Sequence, residues 1–299
     1  MALLSDSAIH PEVVITHPDK LIWQDPPINK EQYISYLVKA SARLLPFLRN
    51  KALTVIRFPD GVPGTSFFQK HCPAYAPEFI QRIKLDDEEW IICNDLSALV
   101  WLGNQAAIEF HIPFQTVDSK NPNEVVFDLD PPDRQHFPMA VHAAKEMKQI
   151  FDRLHVKSYP KLSGSRGIQI HIPLHHTVMS YSDTRVFTSF IADVLTQKYP
   201  DAFTTERLKK NRNGRLYIDY VQHAKGKTII CPYSARGKEG ATVAAPLRWE
   251  EVTDQLQMET FTIPYVLNRI SSVPCPMADY FQQSNESLPA IISSLKNHR

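Results

Sequence analysis

Apolar and polar positions along this chain follow two periods, one helical and one strand-like. Between Asn29 and Pro46 the apolar residues Tyr33, Leu37, Ala40 and Leu44 recur every three or four positions. Asn29 with Gln32 three residues on has the form of a capping box, so the first clear element is predicted to be a helix. Residues 53–58 form a β-branched run closed by the turn Pro59-Asp60-Gly61, with a short stretch over 66–69 placed to pair back on it. Strands are expected over 90–93 and 107–112, flanking a helix over 96–105. The strand Glu124–Asp130 stops at Pro131-Pro132 and is followed by an amphipathic helix over 137–154. Strands over 156–162 and 167–172 come next, then a helix over 182–199 capped by Ser182. Strands over 215–221 and 227–232 are joined by a tight turn through Ala224 and Gly226, and helices over 264–270 and 288–296 close the chain. No repeat, low-complexity tract or linker interrupts this order, and the pattern reads as α+β with antiparallel hairpins.

Composition adds little by itself. The 299 residues are 43% hydrophobic and 22% charged with a formal net charge of +1, which excludes a disordered chain and leaves an ordinary globular protein. The four cysteines, Cys72, Cys93, Cys231 and Cys275, form no CxxC pair, so neither a disulfide framework nor a zinc site is expected, and a reducing cytoplasm suits them. No basic segment leads into an apolar run at the start, and no stretch approaches the roughly 18 apolar residues of a membrane span, so secretion and membrane spanning are not expected.

Local charge changes the picture. Nine Lys and Arg (Arg207, Lys209, Lys210, Arg212, Arg215, Lys225, Lys227, Arg236 and Lys238) surround the single acid Asp219, a charge of +8 within a chain of net +1. Six of the nine glycines fall between 164 and 240 in the same part of the chain. Such a run is either a solvated surface or a cationic site, and glycine permits positive φ and close approach of backbone to a ligand.

The sharpest motif is VVFDLDPPD, residues 125–133. On a strand, Asp128 and Asp130 share one face while Phe127 and Leu129 enter the core on the other. Two like charges side by side repel unless a cation lies between them, so the pair is either a divalent metal site of hard oxygen ligands or a solvated turn. Asp219 in RLYIDY is either an ion-pair partner for Arg212 or Arg215, or a third carboxylate bridging a metal pair that clamps an in-line phosphoryl transfer. Between them lies KLSGSRGIQIHIP, residues 161–173, with Ser163, Ser165 and Arg166 at a glycine turn. The segment reads as a plain hairpin or as a nest of backbone amides for an anion, with Arg166 as a fork for phosphate oxygens. Arg236 in PYSARGKEG is a further candidate phosphate ligand. Upstream, GTSFFQKHCP places Phe67 and Phe68 beside Lys70 and His71, either split between core and surface or stacked on unpaired bases. In this order the motifs point to metal-dependent chemistry on a nucleoside triphosphate.

THPDK, RFPDG, FFQKH, AAIEFHIP, VVFDLDP, SGSRG, IDY and CPYSARG also occur in the order seen in the polymerase domain of bacterial ligase D. That domain is the branch of the archaeo-eukaryotic primase superfamily that serves non-homologous end joining. The sequence resembles it from about Val14 to about Ile270. The resemblance implies an α+β primase-polymerase fold: two packed, mainly antiparallel β-sheets flanked by helices, with an RRM-like catalytic part. The expected organisation is one domain with an N-terminal α/β part over about 1–120, a catalytic part over about 121–270 and a helical tail over about 271–299.

It implies a Mn²⁺-favouring (or Mg²⁺-using) two-metal nucleotidyltransferase that adds ribonucleotides in preference to deoxynucleotides at DNA ends and 5′-phosphorylated gaps. Its implied partners are Ku and an ATP-dependent ligase, in the cytoplasm at the nucleoid. By the same resemblance Asp128, Asp130 and Asp219 bind the metals, and Asp219 helps to activate the primer 3′-hydroxyl. His111, Ser163, Arg166 and Arg236 hold the nucleotide, with Gln169, Arg212 and Gln222 nearby. Phe67, Phe68 and Lys70 meet the DNA, and Lys20 and Lys30 grip the downstream 5′-phosphate. Four positions depart from the family pattern: Arg166 stands for the usual Lys, Gln169 for His, Ile56 for a Lys and His17 for an Asn. Fused ligase and nuclease modules are absent from these residues, which leaves a stand-alone protein or a domain of a longer one. A DNA-end-binding adaptor and an aspartyl-nucleophile phosphatase are the competing readings. The second is disfavoured by Pro132 and by the lack of a downstream acidic pair.

Overall fold

The protein, a computed structural model, is described over residues 9–85, 87–174 and 177–297. It divides into two compact units interleaved in sequence. The first comprises the chain up to Asp118 with Ile229–Ala245 and Glu259–Pro274; the second comprises Ser119–Thr228, Pro246–Met258 and the chain from Cys275. This differs from the consecutive parts expected from the sequence, because residues 229–245 and 259–274 return to the first unit and the C-terminal tail belongs to the second.

In the first unit β1 (Leu21–Trp23) pairs with β2 (Ile28–Asn29), which leads into α1 (Lys30–Leu48). The Asn29 side chain accepts the Gln32 N–H at 2.9 Å and the Gln32 side chain accepts the Asn29 N–H at 2.9 Å, the reciprocal cap that the sequence predicts. The helix buries Tyr33, Leu37, Ala40 and Leu44 as its spacing requires, each of the two leucines contributing about 1.5–3 kcal/mol of burial. It runs through Pro46 to Leu48. Next come β3 (Thr54–Arg57), β4 (Phe67–Gln69), the separate ribbon β5 (Arg82–Leu85) and β6 (Glu88–Ile91), α2 (Leu96–Asn104) and β7 (Ala107–Pro113).

In the second unit β8 (Glu124–Asp130) and α3 (Phe137–Arg153) precede the hairpin of β9 (Tyr159–Leu162) and β10 (Ile168–Pro173). Then come α4 (Tyr181–Lys198), β11 (Phe203–Thr204) and β12 (Leu216–Asp219). The sheet order is β11-β12-β8-β10-β9, antiparallel except for the β11–β12 pair. Phe127, Leu129 and the isoleucines of β10 face α3 and α4, where the rings of Phe127, Phe151 and Phe187 meet at centroid distances of 5.9–6.3 Å. The opposite face carries the polar residues of the motifs. α4 is capped by Ser180 rather than Ser182, since Asp183 completes a capping box with Ser180.

The strand β13 (Thr228–Ile230) does not pair with β12 across the turn at Gly226. It joins the first unit's sheet, of order β13-β7-β3-β4. The helices α5 (Ile263–Ser272) and α6 (Leu288–Asn297) complete the chain. Among the described residues no helix is long and apolar enough to cross a membrane.

Candidate active site

Register places the second unit's polar residues in a row. Asp128 in β8 lies opposite Asp219 in β12 on one side and Gln169 in β10 on the other, while Lys161 in β9 lies opposite Gln169. Cross-strand partners share a face, so these four polar side chains on adjacent strands lie side by side on one face of the sheet. Lys161 is fully buried, and its Nζ donates to Gln169 Oε1 at 2.5 Å; Gln169 Nε2 in turn donates to Asp128 Oδ1 at 3.2 Å. Burial, followed by the charges of Asp130 and Asp219, pushes the Asp128 carboxyl up to about 7 against the opposing pull of Gln169 and Lys161. Asp219 is also raised, mainly by burial, although the Tyr217 hydroxyl donates to its Oδ1 at 3.0 Å and the Gln222 N–H donates at 2.9 Å.

Asp130, two residues along the same face, is clasped by Arg166. Nε donates to Oδ1 at 2.6 Å and Nη2 to Oδ2 at 2.7 Å, a bidentate fork. Arg212 reaches the same carboxylate at 3.5 Å while lying 3.9 Å over the Tyr217 ring. The open ion-pair alternative for Asp219 is therefore not what forms: Arg212 turns to Asp130, and Arg215 donates to backbone carbonyls. A cavity of about 380 Å³ borders Asp219, lined by Arg207, Arg212, Tyr217, Gln222 and Lys227. A larger one of about 480 Å³, beside Trp249 and Ser158, contains none of these groups.

The glycine turn between β9 and β10 is drawn around a hydroxyl. Backbone N–H groups of Ser165, Arg166 and Gly167 donate to Ser163 Oγ at 3.2, 3.3 and 3.0 Å, so the nest is filled by its own serine. Gly167 is required there, because a Cβ would lie 2.1 Å from the Leu129 carbonyl oxygen.

In the first unit β7 carries Glu109 and His111 on one face. The Glu109 carboxylate accepts from His111 Nε2 at 3.0 Å and from the Gly237 N–H at 3.0 Å, and pairs with Arg236 Nη1 at 3.4 Å. Phe67 and Phe68 lie on the edge strand β4 and are both exposed, with the Arg57 guanidinium 5.3 Å over Phe67. The core alternative for this pair is thereby removed.

Three comparisons with known proteins bear on this arrangement. Residues 29–277 match the family model for the LigD primase-polymerase domain. The chain belongs to this family. It is 51% identical to the bifunctional non-homologous end joining protein LigD of Bacillus subtilis over 96% of this chain and 47% of that protein. It is 29% identical to the multifunctional LigD of Mycolicibacterium smegmatis over 86% of this chain and 34% of that one. The chain thus spans half or less of the length of these curated relatives. In structure it is similar to the polymerase domain from Mycobacterium tuberculosis ligase D in complex with DNA, with a TM-score of 0.85 and 26% identity over 92% of this chain and all of that one. The α+β primase-polymerase fold implied by the motifs is the fold of this LigD-type domain.

Placed on the primase-polymerase domain, the candidate residues of the second unit converge: Asp128, Asp130, Asp219, Arg166, Gln169 and Arg212 share one connected network. Two of the candidates expected near the nucleotide have partners within the protein. Gln169 holds its amide between Lys161 and Asp128, because register fixes it opposite both. Gln222 spends its Nε2 on the Thr228 carbonyl at 2.7 Å, bracing the turn at Gly226. In the first unit Lys20 and Lys30 are joined by the Lys30 N–H to Lys20 carbonyl bond. Only Lys20 is half-exposed; Lys30 is 5% exposed and its Nζ donates to the Thr16 carbonyl at 2.6 Å. Burial, then the Lys20 charge, lowers the Lys30 pKa. Lys70 is exposed beyond β4. Lys161 and Glu109 went unread in the sequence; strand alternation with Gln169 and with His111 was the available signal.

Among the described residues no three carboxylate, imidazole or thiolate groups close a metal shell. The donor chemistry nevertheless suits hard divalent cations. Three carboxylates share one face, and two of them, Asp128 and Asp219, are raised first by burial and then by the charge of neighbouring carboxylates, Asp130 in both cases.

Proposed function

We propose that this chain is a nucleotidyltransferase that extends 3′ ends and fills gaps at DNA breaks in non-homologous end joining, with a preference for ribonucleotides. The observation that carries it is the under-neutralised row Asp128–Asp219 with Asp130 beside it, in a LigD-type primase-polymerase domain. Two divalent cations, Mn²⁺ or Mg²⁺, held by Asp128, Asp130 and Asp219 would supply the Lewis-acid charge for in-line attack on an α-phosphate and for the departing pyrophosphate.

The residues supply the rest. Arg166 and Arg212 hold phosphate oxygens, and the Ser163 hydroxyl, fixed by three amide donors, presents its own proton to one of them. Lys161, through Gln169, limits how far the carboxylate row can protonate. Asp219, whose carboxyl is raised mainly by burial, accepts the proton of a primer 3′-hydroxyl. His111 and Arg236 bind phosphate, Phe67 and Phe68 stack on bases, and Lys20 with Lys30 serves the 5′-phosphate of a gap. Ku and an ATP-dependent ligase are the proposed partners, and the nucleoid the place of work.

The test is extension of a gapped, 5′-phosphorylated DNA with Mn²⁺ and either NTPs or dNTPs. Ribonucleotide incorporation by the wild type, lost in Asp128→Ala and Asp219→Ala, is expected. End binding with no incorporation under either nucleotide set would instead support the adaptor reading.

A further inference from the structure

Glu109 is a buried carboxylate, its side chain only 5% exposed. An ionised acid in that position is tolerated only when its oxygens are paired. Both are. The Gly237 N–H serves Oε1, and His111 and Arg236 serve Oε2. Burial alone would raise this carboxyl, but the His111 hydrogen bond, the Arg236 charge and the Gly237 amide outweigh it and hold Glu109 below the usual carboxylate range.

The donors are brought to it by rigid backbone. β7 alternation puts Glu109 and His111 on one face, opposite Ile56 and Thr54 of β3. The segment carrying Arg236 is pinned by the Arg236 N–H to Thr242 carbonyl bond at 2.8 Å and by a bridge between Ala235 and Val243. Gly237 packs so closely on Phe58 that a Cβ would lie 2.0 Å from the ring, which fixes the direction of its N–H.

Stability does not account for this cluster, since buried ion pairs are on average no better than apolar packing of the same volume. Its product is geometry: one carboxylate holds an imidazole and a guanidinium in a single arrangement. We infer that Glu109 is a positioning residue for nucleotide binding, setting His111 and Arg236 in the arrangement with which they take the phosphates. The inference rests on the nucleotidyltransferase reading above. Glu109 itself does not touch the nucleotide; as an anion it would repel the phosphates.

That repulsion gives the experiment its sign. Glu109→Gln keeps the shape and removes the charge. If Glu109 positions its neighbours, KM for the nucleotide on gapped DNA rises about tenfold, the worth of one charge-assisted hydrogen bond, while kcat stays within about threefold. The ¹⁵N side-chain signals of His111 and Arg236 broaden or shift in the nucleotide-free protein. Unchanged or tighter nucleotide binding would overturn the inference, because a mere counter-charge, once removed, strengthens attraction for a polyanion. Glu109→Ala extends the series, and unfolding curves of both variants report any loss of fold. If the wild type binds no nucleotide, the function proposed above fails by itself. The ¹⁵N arm still decides the positioning role: signals identical in wild type and Glu109→Gln would end it.

Discussion

β7 and β8 are each seven residues long and share the same succession of buried and half-buried positions, yet they hold their carboxylates in opposite electrostatic states. Glu109 on β7 has a full set of donors and is held below the usual range. Asp128 on β8 has Gln169 and, at one remove, Lys161, set against two further acids, and is pushed up to about 7. An acid that the fold has already neutralised orders its neighbours. An acid that the fold leaves short of positive charge is a place for a cation to be added.

The contrast can be broken at four points, beginning with the largest effect. Asp128→Ala and Asp219→Ala should lower kcat for incorporation by about three orders of magnitude, the scale of losing a cation clamp, against the near-constant kcat expected of Glu109→Gln. Steady-state assays on gapped DNA measure both. The two clusters also differ in the wall behind their glycines. Gly167→Ala meets a backbone oxygen at 2.1 Å and should destabilise by about 3 kcal/mol or more, whereas Gly237→Ala meets the Phe58 ring, which can turn, and should cost about 1–3 kcal/mol. Denaturant unfolding would rank them.

Arg166 is the charge nearest to neutralising the second cluster. Removing its fork from Asp130 in Arg166→Ala should tighten Mn²⁺ binding without nucleotide by about tenfold and raise KM for the nucleotide. Electron paramagnetic resonance of free Mn²⁺ reads the first effect, and an unchanged affinity would show that the clasp does not compete for Asp130.

The last contrast lies in the pH dependence of stability in chelator-treated protein. Asp128 is raised from an ordinary value near 4, so the folded state holds a proton there that the unfolded state has lost. Its contribution is fully present below about pH 4 and falls away as the pH rises to about 7. Glu109 has the reverse sign: its contribution is present above the ordinary carboxylate pKa and is lost as the pH falls through its depressed value. Melting curves between pH 4 and 8 should therefore flatten in Asp128→Asn and keep their wild-type slope in that window in Glu109→Gln.

Strand alternation made Asp128 and Asp130 readable as a pair, and the isolation of Asp219 among nine cations singled it out as an ion-pair partner or a third acid, a choice made by the resemblance to the primase-polymerase domain. The capping box at Asn29 and the strand Glu124–Asp130 were equally open to short-range reading. The bonds of Gln169 to Lys161 and Asp128 were not legible because they are set by the register of three strands, and Lys161 in a strand-like run carries no local sign that its head is buried. Glu109 was visible within AAIEFHIP, but its role depends on Gly237, 128 residues away.

Periodicity and capping act over a few residues, so the sequence alone determined the longer elements, their order and the shared face of Asp128 and Asp130, while Asp219 reaches that face only through the pairing of β12 with β8. Which strands became neighbours was decided only in the tertiary structure. β12 and β13, separated by the eight residues 220–227, went to different sheets, because burying an apolar face against a distant strand outweighs the proximity of a short connection. The same long-range pairing set the charge balance of each cluster: it gave Glu109 a full complement of donors and left Asp128 facing Asp219.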